Sequence, residues 1–242
     1  MIRLLVIGII GGFLSGLLGV GGGVIFVPLL TYFINKDFKI NTGVSSMAVI
    51  FVAIASSGTY IFNGFSLSVN ILYLIIGGIA GGFIGSKVTE LINTLLLQRI
   101  FSILLFLVAI RMFYNTNFVG AVNENPFLYL LIGFIAGILS GLLGIGGGIV
   151  RIPLLIIFGG LENIVAQGFS LIGTIPTAVT AASVKLKNKP ELIRQGSLIG
   201  LFGIVGSVIG GNIAFTISQY ILNLTFAIFL LFVGINLFFK RT

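Results

Sequence analysis

The chain contains no cysteine and no histidine, and only 7% of its 242 residues are charged. Without cysteine there is no disulfide framework, no thiol catalysis and no Cys-ligated metal. Without histidine, imidazole metal ligation and histidine proton relays fall away too. Neither a metal nor a cofactor is therefore expected, and nothing in the chain suggests an enzyme. Acids are scarce: Asp37, Glu90, Glu124, Glu162 and Glu191 are the complete set. All five fall in loops or near the ends of apolar segments, which leaves no carboxylate for a proton relay at depth. The chain also lacks a Walker lysine motif, which excludes an ATPase of that kind. The net charge of +8 does not point to nucleic acid as a partner, because the basic residues are scattered among hydrophobic segments instead of forming a stripe.

Apolar length is what the chain has in quantity. It is 57% hydrophobic with a mean hydropathy of +1.24, and a soluble domain of this size would lack the side chains for a polar shell. The apolar stretches lie near the about 20 helical residues that cross about 30 Å of hydrocarbon. The expected class is an all-α integral membrane protein, with the lipid bilayer as its surroundings. The 35 glycines are about twice the usual share of roughly 7%. Gly8, Gly12 and Gly16, their copies Gly133, Gly137 and Gly141, and the row Gly77, Gly81, Gly85 are spaced by four, as expected for helices packed backbone to backbone. Met1 to Gly8 has the charge and apolar run of a signal peptide but no convincing small-x-small cleavage site. It also aligns with internal sequence near 129–144, so it reads as the first helix.

Residues 15–23 read SGLLGVGGG and residues 140–148 read SGLLGIGGG, 125 positions apart. Each run is followed five residues on by a proline, Pro28 and Pro153. The register continues without a gap: Phe33 matches Phe158, Gly43 Gly168, Ser45 Ser170, Ala53 Ala178, Gly81 Gly206 and Phe101 Phe226. The chain thus divides into a first membrane repeat, 1–115, a polar linker, 116–126, and a second repeat, 127–242. A duplicated glycine break within apolar helices is the sequence pointer to the central site of a transporter built from repeats.

Orientation follows from Lys and Arg, which are retained on the cytoplasmic side. In the first repeat the loop with Lys36 and Lys39 and the stretch Lys87 to Arg99 are basic, whereas 63–70 carries no charge. In the second repeat the pattern reverses. There 159–163 and 212–223 hold no basic residue, while Lys185, Lys187, Lys189 and Arg194 crowd the equivalent of the neutral loop. The tail ends Lys240-Arg241. This alternation implies two repeats of inverted topology, each a broken glycine-rich helical hairpin (3–34, 127–158) plus three transmembrane helices. The three are 43–62, 69–88 and 96–114, with 168–188, 195–212 and 221–239 as copies. The expected location is the cytoplasmic membrane, multi-pass, with both termini in the cytoplasm. Arg111 stands against this arrangement, which puts it toward the outer face. Each hairpin arm is expected to fall short of a full span, so the tips stop within the membrane where protein or a water-filled cavity surrounds them.

Chemistry concentrates at those tips. Gly21, Gly22, Gly23 and Gly146, Gly147, Gly148 free the backbone for left-handed or extended conformations. The amides opening the following helix would then face a cavity with the positive end of a helix dipole, a site for an anion. The alternative is a tight turn between packed helices. Arg151 lies three residues past the second run, where the first copy has Phe26. A guanidinium at that depth costs at least about 2.5–3.5 kcal/mol unless satisfied. With no intramembrane acid to pair with, it suits a small anionic substrate; backbone carbonyls or snorkelling are the alternative. Gln167 and Ser170, with Thr42 and Ser45 as copies, open the next helices with polar groups that either donate to substrate oxygens or cap and cross-link helices.

The duplicated Leu-x-Gly-x-Gly-Gly-Gly with a following Pro-x-Leu, at 18–30 and 143–155, resembles the sulfite exporter TauE/SafE family over nearly the whole chain. The resemblance implies inner-membrane transport of sulfur-containing anions such as sulfite, sulfoacetate and related organosulfonates. It implies a substrate pathway at Gly21–Gly23, Pro28, Gly146–Gly148 and Pro153, and Ser45 and Ser170 match the small and hydroxyl residues that follow in such proteins. The expected function is a secondary transporter of these anions working outward. An uptake permease, a passive anion channel and a non-transporting membrane subunit stay open beside it, as does a homodimeric state.

Overall fold

The computed structural model describes residues 1–34, 37–113 and 122–239. Lys36, residues 114–121 of the linker region, and Lys240 and Arg241 lie outside the described residues, as does the side chain of Arg111. Among the described residues the chain is helical throughout. The first repeat holds α1 (Ile2–Leu18), α2 (Gly23–Phe33), α3 (Phe38–Phe62), α4 (Asn70–Leu91) and α5 (Thr94–Phe113). The second holds α6 (Pro126–Leu143), α7 (Gly148–Ile157), α8 (Asn163–Lys185), α9 (Pro190–Ala214) and α10 (Gln219–Phe239). The breaks fall where sequence places them. α1 and α6 end on Gly19 and Gly144, left-handed at φ 65° and 70°, the backbone shape that lets a helix stop and turn. α6 begins with Pro126 at its first turn and the Asn125 side chain accepting from the Phe127 amide at 3.0 Å, a standard start signal.

The hairpin arms all have fewer than about 20 residues, as expected, but they are unequal. α1 has 17 residues and α6 has 18, about 25–27 Å of helix, and α6 is itself long and apolar enough to cross a membrane. α2 and α7, with 11 and 10 residues, reach only about 15–16 Å. The reason is local: nothing interrupts the first arm before its left-handed glycine, whereas the second arm runs only from the glycine run to the next loop. Among the described residues, α3, α4, α8 and α9 are the other helices of spanning length and apolarity. Their outer faces carry exposed side chains such as Leu72, Ile76, Val205 and Ile209, as a lipid-facing surface requires.

Each hairpin packs on the opposite repeat. α1 lies along α9 and α6 along α4, the two most extensive helix contacts, and α5 pairs with α10. The pairings interchange when the repeats are exchanged: α3 meets α9 as α8 meets α4, and α2 meets α3 as α7 meets α8. Glycine builds the two long seams. A Cβ at Gly12 would run into the Gly203 carbonyl, at Gly81 into the Phe134 carbonyl, and at Gly85 into the Ile138 carbonyl. The four-residue glycine rows are therefore packing surfaces where backbones touch.

α3 and α8 are the most buried of the spanning helices and run antiparallel. At one end Tyr60 Oη donates to Gln167 Oε1 at 2.7 Å. At the other, Lys185 Nζ donates to Thr42 Oγ1 at 3.0 Å.

The seams predict a contrast between glycines. Gly81→Ala should lower the melting temperature of detergent-purified protein by several degrees, because a methyl group there meets a carbonyl that cannot yield without parting two helices. Gly58 lies in α3 with no atom within 4 Å of an added Cβ, and Gly58→Ala should leave stability equal or higher by about 0.5–1 kcal/mol.

Candidate functional site

The glycine runs meet at the centre. Gly23, the first residue of α2, lies against the backbone of Gly144 and Ile145, and Gly148, the first of α7, lies against the backbone of Val20. A Cβ at either would enter that neighbouring backbone, so these two glycines serve close approach. The left-handed positions are the ones before them: Gly22 at φ 79° and Gly147 at φ 83° are the N-caps of α2 and α7, preceded by Gly21 and Gly146 at φ 82° and 75°. Neither helix has a side-chain cap, so its first amides remain for another partner.

Arg151 sits in the first turn of α7 and is fully buried. Its Nη1 donates to the Ser170 carbonyl at 2.9 Å and to Thr174 Oγ1 at 3.1 Å, and Nη2 donates to Thr177 Oγ1 at 3.3 Å. The hydroxyl protons of those threonines are committed elsewhere. Thr174 donates to the Gly146 carbonyl at 2.9 Å and Thr177 to the Gly173 carbonyl at 2.7 Å. Each hydroxyl is thereby left as an acceptor toward the guanidinium. Room for the cation comes from Gly147 and Gly173, whose missing Cβ atoms would stand 3.2 and 3.1 Å from it. All five carboxylates of the chain are exposed, so only neutral oxygens offset this charge, as its sequence context suggested.

Buried polar atoms without partners lie at both tips: Arg151 Nε and the hydroxyls of Ser140 and Ser170 at the second, and the hydroxyl of Ser15 at the first. Ser140 and Arg151 flank Gly147, Ser15 flanks Gly22, and Ser170 Oγ flanks Gly148. Buried polar groups are normally paired, and a cluster left unpaired calls for a solvent or ligand explanation. The chemistry on offer is donor-rich: one guanidinium edge, hydroxyls and helix-opening amides, which suits an oxyanion.

The other predicted residues divide. Ser45 joins the centre, donating to the Gly144 carbonyl at 2.8 Å and lying 3.5 Å from that of Gly23. Gln167 does not belong to the Arg151 cluster. It pairs with Tyr60 and lies against Gly19, where the α1 tip ends. Pro28 and Pro153 lie inside α2 and α7, one and a half turns past the tips, where their rings remove an amide donor each. Thr174 and Thr177 were missed, as was Lys185, read from sequence only as a loop cation. One signal marks all three. At the 125-residue offset Phe26, Val49, Val52 and Tyr60 become Arg151, Thr174, Thr177 and Lys185, and in the first repeat Phe26, Val49 and Val52 are part of one apolar cluster. Polar replacements concentrated at packed repeat positions indicate a site.

Comparison with known proteins gives the family. A family model described as "Sulfite exporter TauE/SafE" matches residues 1–112 and 129–242. A probable membrane transporter protein of Methanocaldococcus jannaschii is 36% identical over 165 residues, 63% of this chain and 60% of its own length. A probable membrane transporter protein of Xylella fastidiosa is 27% identical over 240 residues, 95% of this chain and 91% of its own. YunE of Bacillus subtilis, also a probable membrane transporter protein, is 27% identical over 178 residues, 62% of this chain and 65% of its own. No solved structure matches.

Gly22→Ala and Gly147→Ala should separate backbone shape from access to the cation. Both force an L-residue into a left-handed conformation at about 1–3 kcal/mol. Only the Gly147 methyl would stand beside the guanidinium; that of Gly22 would meet Phe26 and Ser15. Calorimetric binding of sulfoacetate should weaken more in Gly147→Ala than in Gly22→Ala at similar thermal stability, and equal losses would assign the effect to backbone shape alone.

Proposed function

The chain belongs to the sulfite exporter TauE/SafE family and is a multi-pass membrane transporter, and on that footing we propose that it is a secondary transporter carrying small sulfur-containing anions, such as sulfite and sulfoacetate, outward across the cytoplasmic membrane. The observation that carries the proposal is Arg151, buried without an acid and with Nε unpartnered, near the unpartnered hydroxyls of Ser140 and Ser170. A sulfonate or sulfite brings a charge to neutralise the guanidinium and several oxygens to accept from Nε–H, the hydroxyls and the opening amides of α7. The bonds Arg151 donates to Ser170, Thr174 and Thr177 then have a positioning role: they hold the Nη side and leave Nε without a protein partner.

Transport needs the site to open alternately to each side. We take the repeats as inverted in the membrane, with both termini cytoplasmic, on two supports: the reversal of Lys and Arg between equivalent loops, and the antiparallel run of the equivalent helices α3 and α8. Rocking one hairpin with the helix it lies along against the other would expose the anion first at one end of α3 and α8, then at the other. Saturable counterflow in proteoliposomes is the behaviour expected of a carrier; flux without saturation would indicate a channel.

For the site, Arg151→Ala should weaken sulfoacetate binding by roughly 10- to 150-fold, the worth of a lost charge-assisted contact. Arg151→Lys should restore only part of it, since lysine keeps the charge but not the planar fork. Calorimetry on folded, monodisperse variants decides, and binding within a factor of two of wild type in Arg151→Ala would make Arg151 structural. For the topology, the absence of native cysteine makes single-cysteine labelling clean. Asn123→Cys should react with an impermeant reagent in intact cells and Asn188→Cys should not; the opposite result overturns the inverted arrangement.

A further inference from the structure

We propose that Lys185 is a second anion-binding residue, and that an arriving anion draws its ammonium away from the end of α6 and so opens the path at that end. The inference rests on the anion-transport reading above and adds where the anion is first met.

Position is the first support. Ser170, Thr174, Thr177, Ala181 and Lys185 follow one another at helical i+3 and i+4 spacing, so one face of α8 carries them all. The three that hold Arg151 are followed, about two turns on, by Lys185, among the described residues the only other fully or nearly buried cation, at 8% exposure. Its two contacts are neutral: Nζ donates to Thr42 Oγ1 at 3.0 Å and to the Leu142 carbonyl at 3.1 Å. The Leu142 carbonyl lies at the end of α6, one residue before its last, and Thr42 is on α3. Lys185 thus clamps the tip of the second hairpin to both central helices.

The second support is what does not face it. α8 packs on α3, α4, α6 and α7. Their charged residues are Lys39, Lys87, Glu90 and Arg151, with none on α6. Glu90 is exposed, as is Asp37 at the start of α3. No acid is buried against the ammonium, and a hydrogen bond to an ionised oxygen is roughly twice as strong as one to a neutral oxygen. An anion reaching this end therefore competes successfully for Nζ, and the clamp on Leu142 is released as the anion binds.

The equivalent clamp in the other repeat differs in the feature that matters. Tyr60, at the position of Lys185, donates to Gln167, at the position of Thr42, at 2.7 Å, and its oxygen lies 3.3 Å from the Gly16 carbonyl near the end of α1. A cleft of about 160 Å³ lined by Tyr60, Asn63, Phe65 and Phe215 opens there. That clamp joins the equivalent elements, with α1 in place of α6, but carries no charge. Anions act on one end of the path and not on the other.

The test uses Ala181→Cys, fully buried one turn before Lys185, as the only thiol in purified protein in nanodiscs. The readout is the rate of modification by a charged methanethiosulfonate, with sulfoacetate as the anion because sulfite attacks such reagents. Sulfoacetate should raise the rate by roughly fivefold with Lys185 or Lys185→Arg present, and not with Lys185→Met. Thr42→Val, which keeps the lysine but removes part of the clamp, should raise the rate without anion. If calorimetry gives sulfoacetate binding that needs Arg151 while the Ala181→Cys rate ignores the anion, or responds equally in Lys185→Met, the role of Lys185 is overturned and the transport reading stands. If neither Arg151→Ala nor Lys185→Met alters sulfoacetate binding, both fall.

Discussion

Backbone-to-backbone contact through glycine is the constraint on which the rest of this molecule depends. Lipid offers helices no hydrophobic reason to associate, so close packing and interhelical hydrogen bonds must hold them. Here α1 fits along α9, and α6 along α4, at distances that admit no Cβ at Gly12, Gly81 or Gly85. Because each seam joins a hairpin to the other repeat, the repeats interlock, and the two glycine tips are carried to a common centre. Everything polar in that centre is possible only because the seams hold irregular backbone away from lipid.

Within this shared frame the repeats have diverged in chemistry while keeping their geometry. In the first, Phe26, Val49 and Val52 fill the space beside the glycine run as ordinary core. In the second, Arg151, Thr174 and Thr177 occupy the same places and form a buried hydrogen-bonded cluster around one cation. Thr174 lies against both Gly21 and Gly146, so the cluster belongs to one repeat but borders both tips.

Much of this was legible in the sequence because it is local and repeated. The glycine run marks where a helix must stop, and the 125-residue register gave the helices of one repeat from those of the other. Arg151 stood out because its copy is a phenylalanine. What escaped depended on distant parts of the chain. Thr174 and Thr177 look like any hydroxyl bonding to its own helix until the guanidinium is placed beside them. Lys185, next to Lys187 and Lys189, reads as one more loop cation; its partners are Thr42 and the end of α6, 143 and 43 residues earlier. Gln167 was grouped with Ser170 by nearness in sequence, yet its partner is Tyr60, 107 residues away. The unequal arms were missed because composition does not say how far a helix runs before its glycine.

The interlocked seams also set an order of assembly. α4 and α6 are separated by one helix and a linker, so their glycine faces can join soon after both enter the bilayer. α1, by contrast, precedes its partner α9 by seven intervening helices. The first hairpin must therefore hold its turn and its bare glycine face in the membrane while almost the whole chain is synthesised, and contacts so distant in sequence form slowly. Two seams of the same construction are thus unequal during biogenesis: the α1–α9 seam is the one on which an insertion intermediate waits, and where a chaperone or a neighbouring helix would find an unoccupied groove.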